Sequence, residues 1–264
     1  MRDETYTTKA IILNRQPFGE CGSKVTLYSG EEGKLELVAR GARKITSKLA
    51  AHLEPLNLSE IMAVRGRQFD YIGGAVSQNC HANLKSDLEK LLIAGQAINI
   101  FNKLIKHGER DGGIFILLQD FLNILDENKE FNYELLFNFF ILKLLVQLGY
   151  KPELYNCAVC KNKIEPAGNK FDLSKGGVIC DDCASPPPVL PAQAWRAGLI
   201  PLLIRRGGGE RSKTGERLPI SDNCIKVLRF AIINNLNKPI KLKIDNKLNK
   251  EINNIINLFL NYYR

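Results

Sequence analysis

Apolar residues recur along this chain with two different periods. Up to about residue 80 the period is two. In SKVTLYS (23–29), Val25 and Leu27 fall on one face, and Lys24, Thr26 and Tyr28 on the other. In KLELVAR (34–40), Leu35, Leu37 and Ala39 oppose Lys34, Glu36, Val38 and Arg40. TTKAIILN (7–14), LNLSEIMAV (56–64) and FDYIGGAV (69–76) complete a set of five short segments rich in strand formers. Turn signals separate them: Pro17-Phe18-Gly19, Gly30-Glu31-Glu32-Gly33 and Gly66. One dry and one wet face per strand suits a small closed antiparallel barrel. Five strands in about 75 residues fit an OB-fold better than a seven-stranded sandwich. An SH3-like barrel is the alternative.

From residue 84 the period becomes helical. Leu84, Leu88, Leu91, Leu92, Ala94, Ile98, Phe101, Leu104 and Ile105 recur at spacings of three and four, and Gly108 follows as a stop. Further helices are predicted over 114–125 and 133–148, the latter ending at Gly149 with Pro152 just beyond. The 133–148 segment is apolar nearly all round and belongs at the centre of a bundle. Helical periodicity returns over 224–236 and 246–262. Between lie Pro186-Pro187-Pro188, a possible helix around Trp195, and the basic Gly-rich stretch RRGGGERSKTGER (205–217). That stretch reads as a flexible loop and lacks the Gly-x4-Gly-Lys-Ser/Thr of a phosphate-binding loop. The predicted fold class is α+β: an N-terminal barrel domain (1–82), then a helical domain (83–264) interrupted by a cysteine-rich insertion (155–185).

That insertion carries the strongest chemical signal. Cys157-x2-Cys160 and Cys180-x2-Cys183 stand 19 residues apart. Each Cys-x-x-Cys turn presents two sulfurs from one knuckle, and two knuckles supply the four soft ligands of a structural Zn²⁺. The intervening residues, with Gly168 and Gly176-Gly177, allow a β-hairpin to join them. Four thiolates also suit an iron–sulfur cluster. A redox pair would need a βαβ context that is missing here. Four cysteine ligands leave no open coordination position, so the metal is expected to be structural. Cys21, Cys80 and Cys224 lack partners at ligand spacing.

The net charge is +9 over 264 residues. Its excess lies at the end: residues 184–264 hold 14 basic and 5 acidic side chains, whereas residues 1–83 hold 11 and 9. Such a patch favours polyanions. No run of 18 apolar residues exists, and the N-terminus has acids where a signal peptide needs bases. A cytoplasmic location with reduced cysteines is the expectation. His52, His81 and His107 sit at no metal spacing, and no paired acids or nucleophile motif stands out. The chain is therefore expected not to be an enzyme; a zinc-dependent enzyme or RNA-modifying protein is the minor alternative.

The stretch 19–61 resembles the N-terminal barrel of the bacterial recombination-mediator family RecO. The likeness rests on Gly19-Glu20, a strand, a Gly-Lys turn, Val38-Ala39-Arg40-Gly41-Ala42-Arg43-Lys44, Ser47-Lys48 and a Leu-x-Pro strand. Farther on, a leucine-rich helix ending in Leu148-Gly149-Tyr150-Lys151-Pro152 and a four-cysteine insertion follow in similar order. Residues 185–220 do not fit this pattern. The resemblance implies binding to single- and double-stranded DNA, annealing of complementary strands and a bacterial, nucleoid-associated location. It also implies help in loading RecA onto DNA coated by single-strand-binding protein, with RecR as partner. A scaffold for RecR and for the acidic tail of single-strand-binding protein, with DNA contact secondary, is the alternative.

The residues agree with a polyanion partner. VARGARKITSKLAAH (38–52) holds Arg40, Arg43, Lys44 and Lys48 and no acid. Arg65 and Arg67 flank a second turn. Lys24, Tyr28 and Arg40 fall on the strand face expected to be wet, where Tyr28 would stack on bases. Tyr71 could do the same, whereas Phe69 is expected inside the barrel.

Overall fold

The computed structural model describes residues 5–127, 132–166, 168–185, 217–237 and 242–263. The triple proline, the segment around Trp195 and residues 205–216 of the basic loop lie outside the described residues. The chain divides into two compact units, one built on Met1–Leu148 and one on Gly149–Ile233 with Ile244–Tyr263.

The first unit opens with five strands: β1 (Thr5–Phe18), β2 (Gly22–Ser29), β3 (Gly33–Ala39), β4 (Leu58–Val64) and β5 (Tyr71–Asn79). They close into a barrel in the order β1-β2-β3-β5-β4. All pairings are antiparallel except β3–β5, which meet in parallel at Val38 and Tyr71. β1 serves two neighbours. Its first half pairs with β4, its second half with β2, and a register shift between Ile12 and Asn14 redirects it. The alternating apolar positions fill the interior: Ala10, Ile12, Val25, Leu27, Leu37, Ala39, Ile61, Ala63 and Ile72, with Leu53 from a one-turn 3₁₀ helix (Ala51–Leu53). The five-stranded OB-type barrel expected from the sequence is thus present.

The same unit holds α1 (Ala82–Ser86), α2 (Leu88–Leu104), α3 (Gly112–Glu127) and α4 (Tyr133–Gln147). Each of the three long helices has a side-chain cap at its start. Asp87 accepts from the Glu89 and Lys90 amides, Asp111 from Gly113 and Ile114, and Asn132 from Leu135. α4 buries almost every position, as its all-round apolarity predicts, and Phe140 stacks on Phe121 of α3 at 4.4 Å.

These helices cover the outer face of β2 and β3. Gly33 shows how closely: its φ is +74°, and a Cβ there would lie 2.5 Å from the Glu109 carbonyl oxygen. Only glycine fits. A polar seam fastens β5 and β4 to α3. Buried His81 places Nδ1 2.7 Å from the Leu56 carbonyl oxygen and Nε2 3.1 Å from Asn123 Oδ1.

The second unit contains β6 (Lys170–Asp172), β7 (Gly177–Ile179), α5 (Asp181–Ala184), β8 (Arg217–Pro219), α6 (Asp222–Ile233) and α7 (Asn246–Tyr263). β6 and β7 form the hairpin anticipated between the two cysteine pairs. β8 adds a third strand alongside β6. The sequence reading missed it because three residues at the end of a Gly-rich basic run carry no period. Arg217, read as part of a flexible loop, is instead tied down. It donates to Asp172 Oδ2 at 3.0 Å and to the Ala184 carbonyl at 3.3 Å. The Asp172 side chain is buried, which opposes ionisation. Ser174, Arg217 and the Lys175 amide overcome that and hold its carboxyl below the usual range.

Candidate nucleic-acid interface and metal centre

Three connections meet at one end of the barrel. The Arg43 amide donates to the Cys21 carbonyl of the β1–β2 turn at 2.9 Å. The Val38 amide donates to the Asp70 carbonyl of the β4–β5 loop, also at 2.9 Å. Phe18 and Phe69 meet edge to face across the β1–β2 and β4–β5 connections, with centroids 5.6 Å apart. The loop after β3 completes the rim.

This rim gathers most of the cations singled out by sequence. Arg40, Arg43, Lys44, Lys48, Arg65 and Arg67 are all exposed. Among the described residues none of the six pairs with a carboxylate. Two lie over aromatic rings instead: Arg40 is 4.0 Å from the Tyr71 centroid and Arg65 is 4.8 Å from that of Tyr6. A guanidinium resting on a ring is held in place yet keeps its donors free. The acid Asp70 is occupied, accepting from the Tyr6 hydroxyl at 3.3 Å and the Gly66 amide at 3.1 Å. Glu20, on the β1–β2 turn, is an exposed carboxylate at the same end.

Two of the residues expected at the interface do not stand free. Tyr28 is fully buried, not a solvent-facing platform. Its ring meets Phe101 of α2 edge to face at 5.0 Å, and its hydroxyl donates to the Asp111 carbonyl at 3.2 Å. Burial, helped by the Asp111 charge, pushes that hydroxyl up to about 12. Alternation correctly put Tyr28 on the outer face, but that face is roofed by helices. Lys24 does face outward, but it is spoken for by an ion pair with Glu36 on the neighbouring strand. The Glu36 carboxyl is accordingly held low, chiefly by its hydrogen bond with Lys24.

The available rings at the rim are others. Phe18 is 38% exposed, and Phe69, expected inside, is half-exposed beside it. Tyr6 and Tyr71 lie under the arginines. Phe18 and Tyr6 were missed. Phe18 stands between Pro17 and Gly19 and reads only as turn punctuation, and no pattern separates Tyr6 from other strand residues.

The second site is the cysteine cluster. The Sγ atoms of Cys157, Cys160, Cys180 and Cys183 all lie within 4.8 Å of one another. Cys160 and Cys180 have their sulfurs 3.7 Å apart, and no disulfide joins any pair. A tetrahedron of 2.3 Å metal–sulfur bonds has edges of about 3.8 Å, so the arrangement fits a tetrathiolate ion with little adjustment. The first knuckle turns back through Lys161 at φ +66°, its amide donating to the Cys157 carbonyl. The second knuckle starts α5, with Cys180 as its cap residue. Burial disfavours a thiolate at Cys157. Even so, the amides of Cys180, Cys160 and Val159 bring it down to about 6. The local core is tiny: Cys157, Ile179 and Ala184, with Ala158 and Ile164 against them.

The second unit also contains a cavity of about 720 Å³ bounded by Lys170, Leu218, Pro219, Lys247 and Ile255. Its lysines are matched by Asp181 and Glu251, so it shows no charge preference.

Comparison with known proteins agrees with this architecture. The family model described as Recombination protein O N terminal matches residues 1–79, and Recombination protein O C terminal matches 85–263. The chain belongs to the RecO family. A "DNA repair protein RecO" from Roseiflexus sp. is 34% identical over 70% of this chain; the match spans just under two thirds of that relative, 64%. One from Desulforamulus reducens is 32% identical over 68% of this chain and 69% of its own length. One from Dehalococcoides mccartyi is 29% identical over 90% and 82%. Among the described residues no helix is long and apolar enough to cross a membrane.

Proposed function

We propose that this RecO-family chain is a DNA repair and recombination mediator that binds single- and double-stranded DNA at the barrel rim. It anneals complementary strands and helps load RecA onto DNA coated by single-strand-binding protein, with RecR as partner. The observation that carries the DNA contact is the set of six exposed cations, without carboxylate partners among the described residues, on two of the three touching loops. Phosphates bound there release counterions, and the rings at the rim offer faces to unpaired bases. Annealing needs no bond chemistry: a basic surface relieves repulsion between two strands, and the bases then pair. No catalytic role is assigned to any residue. Family membership supports the pathway and partners; the rim supplies the physical means.

Cys157, Cys160, Cys180 and Cys183 would hold Zn²⁺, which supplies folding free energy to a segment with almost no core. Its function is structural.

The test is strand annealing by the pure protein, followed by fluorescence energy transfer, with metal content assayed on the same sample. The variant with Arg40, Arg43, Lys44 and Lys48 all changed to Glu should lose single-strand binding and annealing while keeping its metal. Unchanged annealing would remove the rim from the mechanism and leave the scaffold reading.

A further inference from the structure

One exposed residue of the rim loop is a large aliphatic. Ile45 is fully exposed, with Arg43 and Lys44 on one side and Lys48 on the other. A single exposed aliphatic side chain is ordinary on a protein surface. Its setting here is not, because the loop beneath it is built to stay still.

The loop after β3 folds as two successive turns. Gly41, at φ +66°, starts the first, in which the Lys44 amide donates to the Gly41 carbonyl at 3.0 Å. The Ser47 amide donates to the Lys44 carbonyl at 2.9 Å in the second. Ile45 stands in that second turn. Both ends of the loop are then gripped by one side chain from β1. Arg15 donates to the Ala42 carbonyl at 2.9 Å and to the Ala50 carbonyl at 3.0 Å. It also donates to Ser23 Oγ at 3.2 Å and Glu54 Oε1 at 3.0 Å. Its side chain is only 17% exposed, so the grip is largely shielded from solvent. A planar fork with five donors spans these acceptors; an ammonium is a point donor and does not.

We propose that Ile45 is a base-contacting wedge, presented to unpaired bases of a single strand by a loop that the Arg15 clamp holds in shape. This rests on the reading of the rim as a DNA surface. The flanking cations draw the sugar–phosphate chain alongside the loop, and the apolar tip meets the bases that follow it. Isoleucine is among the apolar residues that proteins insert between the base steps of a duplex, and an unpaired base offers such a side chain the same apolar face. Arg15 touches no nucleic acid; it is a positioning residue. A prearranged loop binds without the cost of ordering it first.

Three variants of the full chain test this by fluorescence anisotropy with a labelled oligo-dT at several salt concentrations. Ile45→Ser should weaken binding about tenfold at fixed salt, the order expected for an aliphatic side chain covered by bases. It should leave the salt slope unchanged, because no phosphate contact is removed. Ile45→Phe should restore binding or tighten it, since a ring stacks better than an aliphatic tip. Arg15→Lys keeps the charge but drops the two-ended grip. It should flatten the salt slope by about 1 to 2 and speed amide exchange at 43–49. Ile45 is wholly solvent-facing, so its variants read the wedge even if Arg15→Lys disturbs folding. Ile45→Ser binding like the parent, with the parent slope still steep, would overturn the wedge and leave the rim standing. A flat slope in the parent would remove the rim itself.

Discussion

Salt dependence gives the rim a number. Six cations that have no carboxylate partner among the described residues face solvent there. If each meets one phosphate of a single strand, the log–log slope of affinity against salt is about −4, from roughly −0.7 per contact. Between 50 and 200 mM salt that is a loss of about 300-fold. Changing Arg43, Lys44 and Lys48 together to Gln removes half the contacts. The slope should fall to about −2 and the loss over the same range to about 20-fold. Lys24→Gln provides the internal control: its charge is already matched by Glu36, so the slope should not move. Anisotropy of a labelled oligo-dT, titrated at five or six salt concentrations, measures all three. A triple variant with the parent slope would refute the count, and a Lys24 variant as flat as the triple would refute the assignment of which cations are free.

Three further outcomes are expected. Tyr28→Phe reads burial through pH. The folded hydroxyl titrates at about 12 because of burial, whereas the unfolded one titrates near its ordinary 10. Its stabilisation is therefore complete below pH 10 and is lost as pH rises through 12, at about 1.4 kcal/mol per unit. Urea melts between pH 9.5 and 11.5 should show a shallower decline in the variant. Asn138 is fully buried in α4, and neither amide atom has a partner among the described residues. Asn138→Leu should stabilise the first unit by about 1–2 kcal/mol in the same melts. With Zn²⁺ held as proposed, a chelator or Cys183→Ser should release amide protection over 155–185. The salt slope of single-strand binding should stay as it was, because the thiol cluster and the rim belong to different compact units.

The two sites were legible in the sequence to different degrees, for a physical reason. The four-cysteine cluster is written in local spacing: each Cys-x-x-Cys turn fixes its own two sulfurs, and the hairpin β6–β7 only has to bring two turns together. The barrel strands and their inward faces were legible for the same local reason, since a period of two is a property of the strand alone. What lies against the outward face is not local. Tyr28 and Lys24 occupy the face that alternation assigns them, yet one is sealed by Phe101 and the other matched by Glu36. Arg15 carried no signal at all. An arginine at the end of a strand looks like any solvated charge until the fold brings Ala42, Ala50 and Glu54 around it.

Net charge was a poor guide to where a polyanion would sit. The excess of bases lies after residue 183, much of it in residues outside those described. Residues 1–83, with 11 bases against 9 acids, are nearly balanced, yet they form the rim. The balance conceals a sorting. Glu54 is taken by Arg15, Glu36 by Lys24 and Glu32 by Arg110, while Asp70 accepts from Tyr6 and Gly66. Four of the nine acids are thus engaged within the fold, while the six rim cations keep their charge for solvent. With screening over about 8–10 Å at physiological salt, a bound strand feels that local set and not the sum over the chain. Pairing decides which charges are left to act, and pairing is a property of the folded barrel.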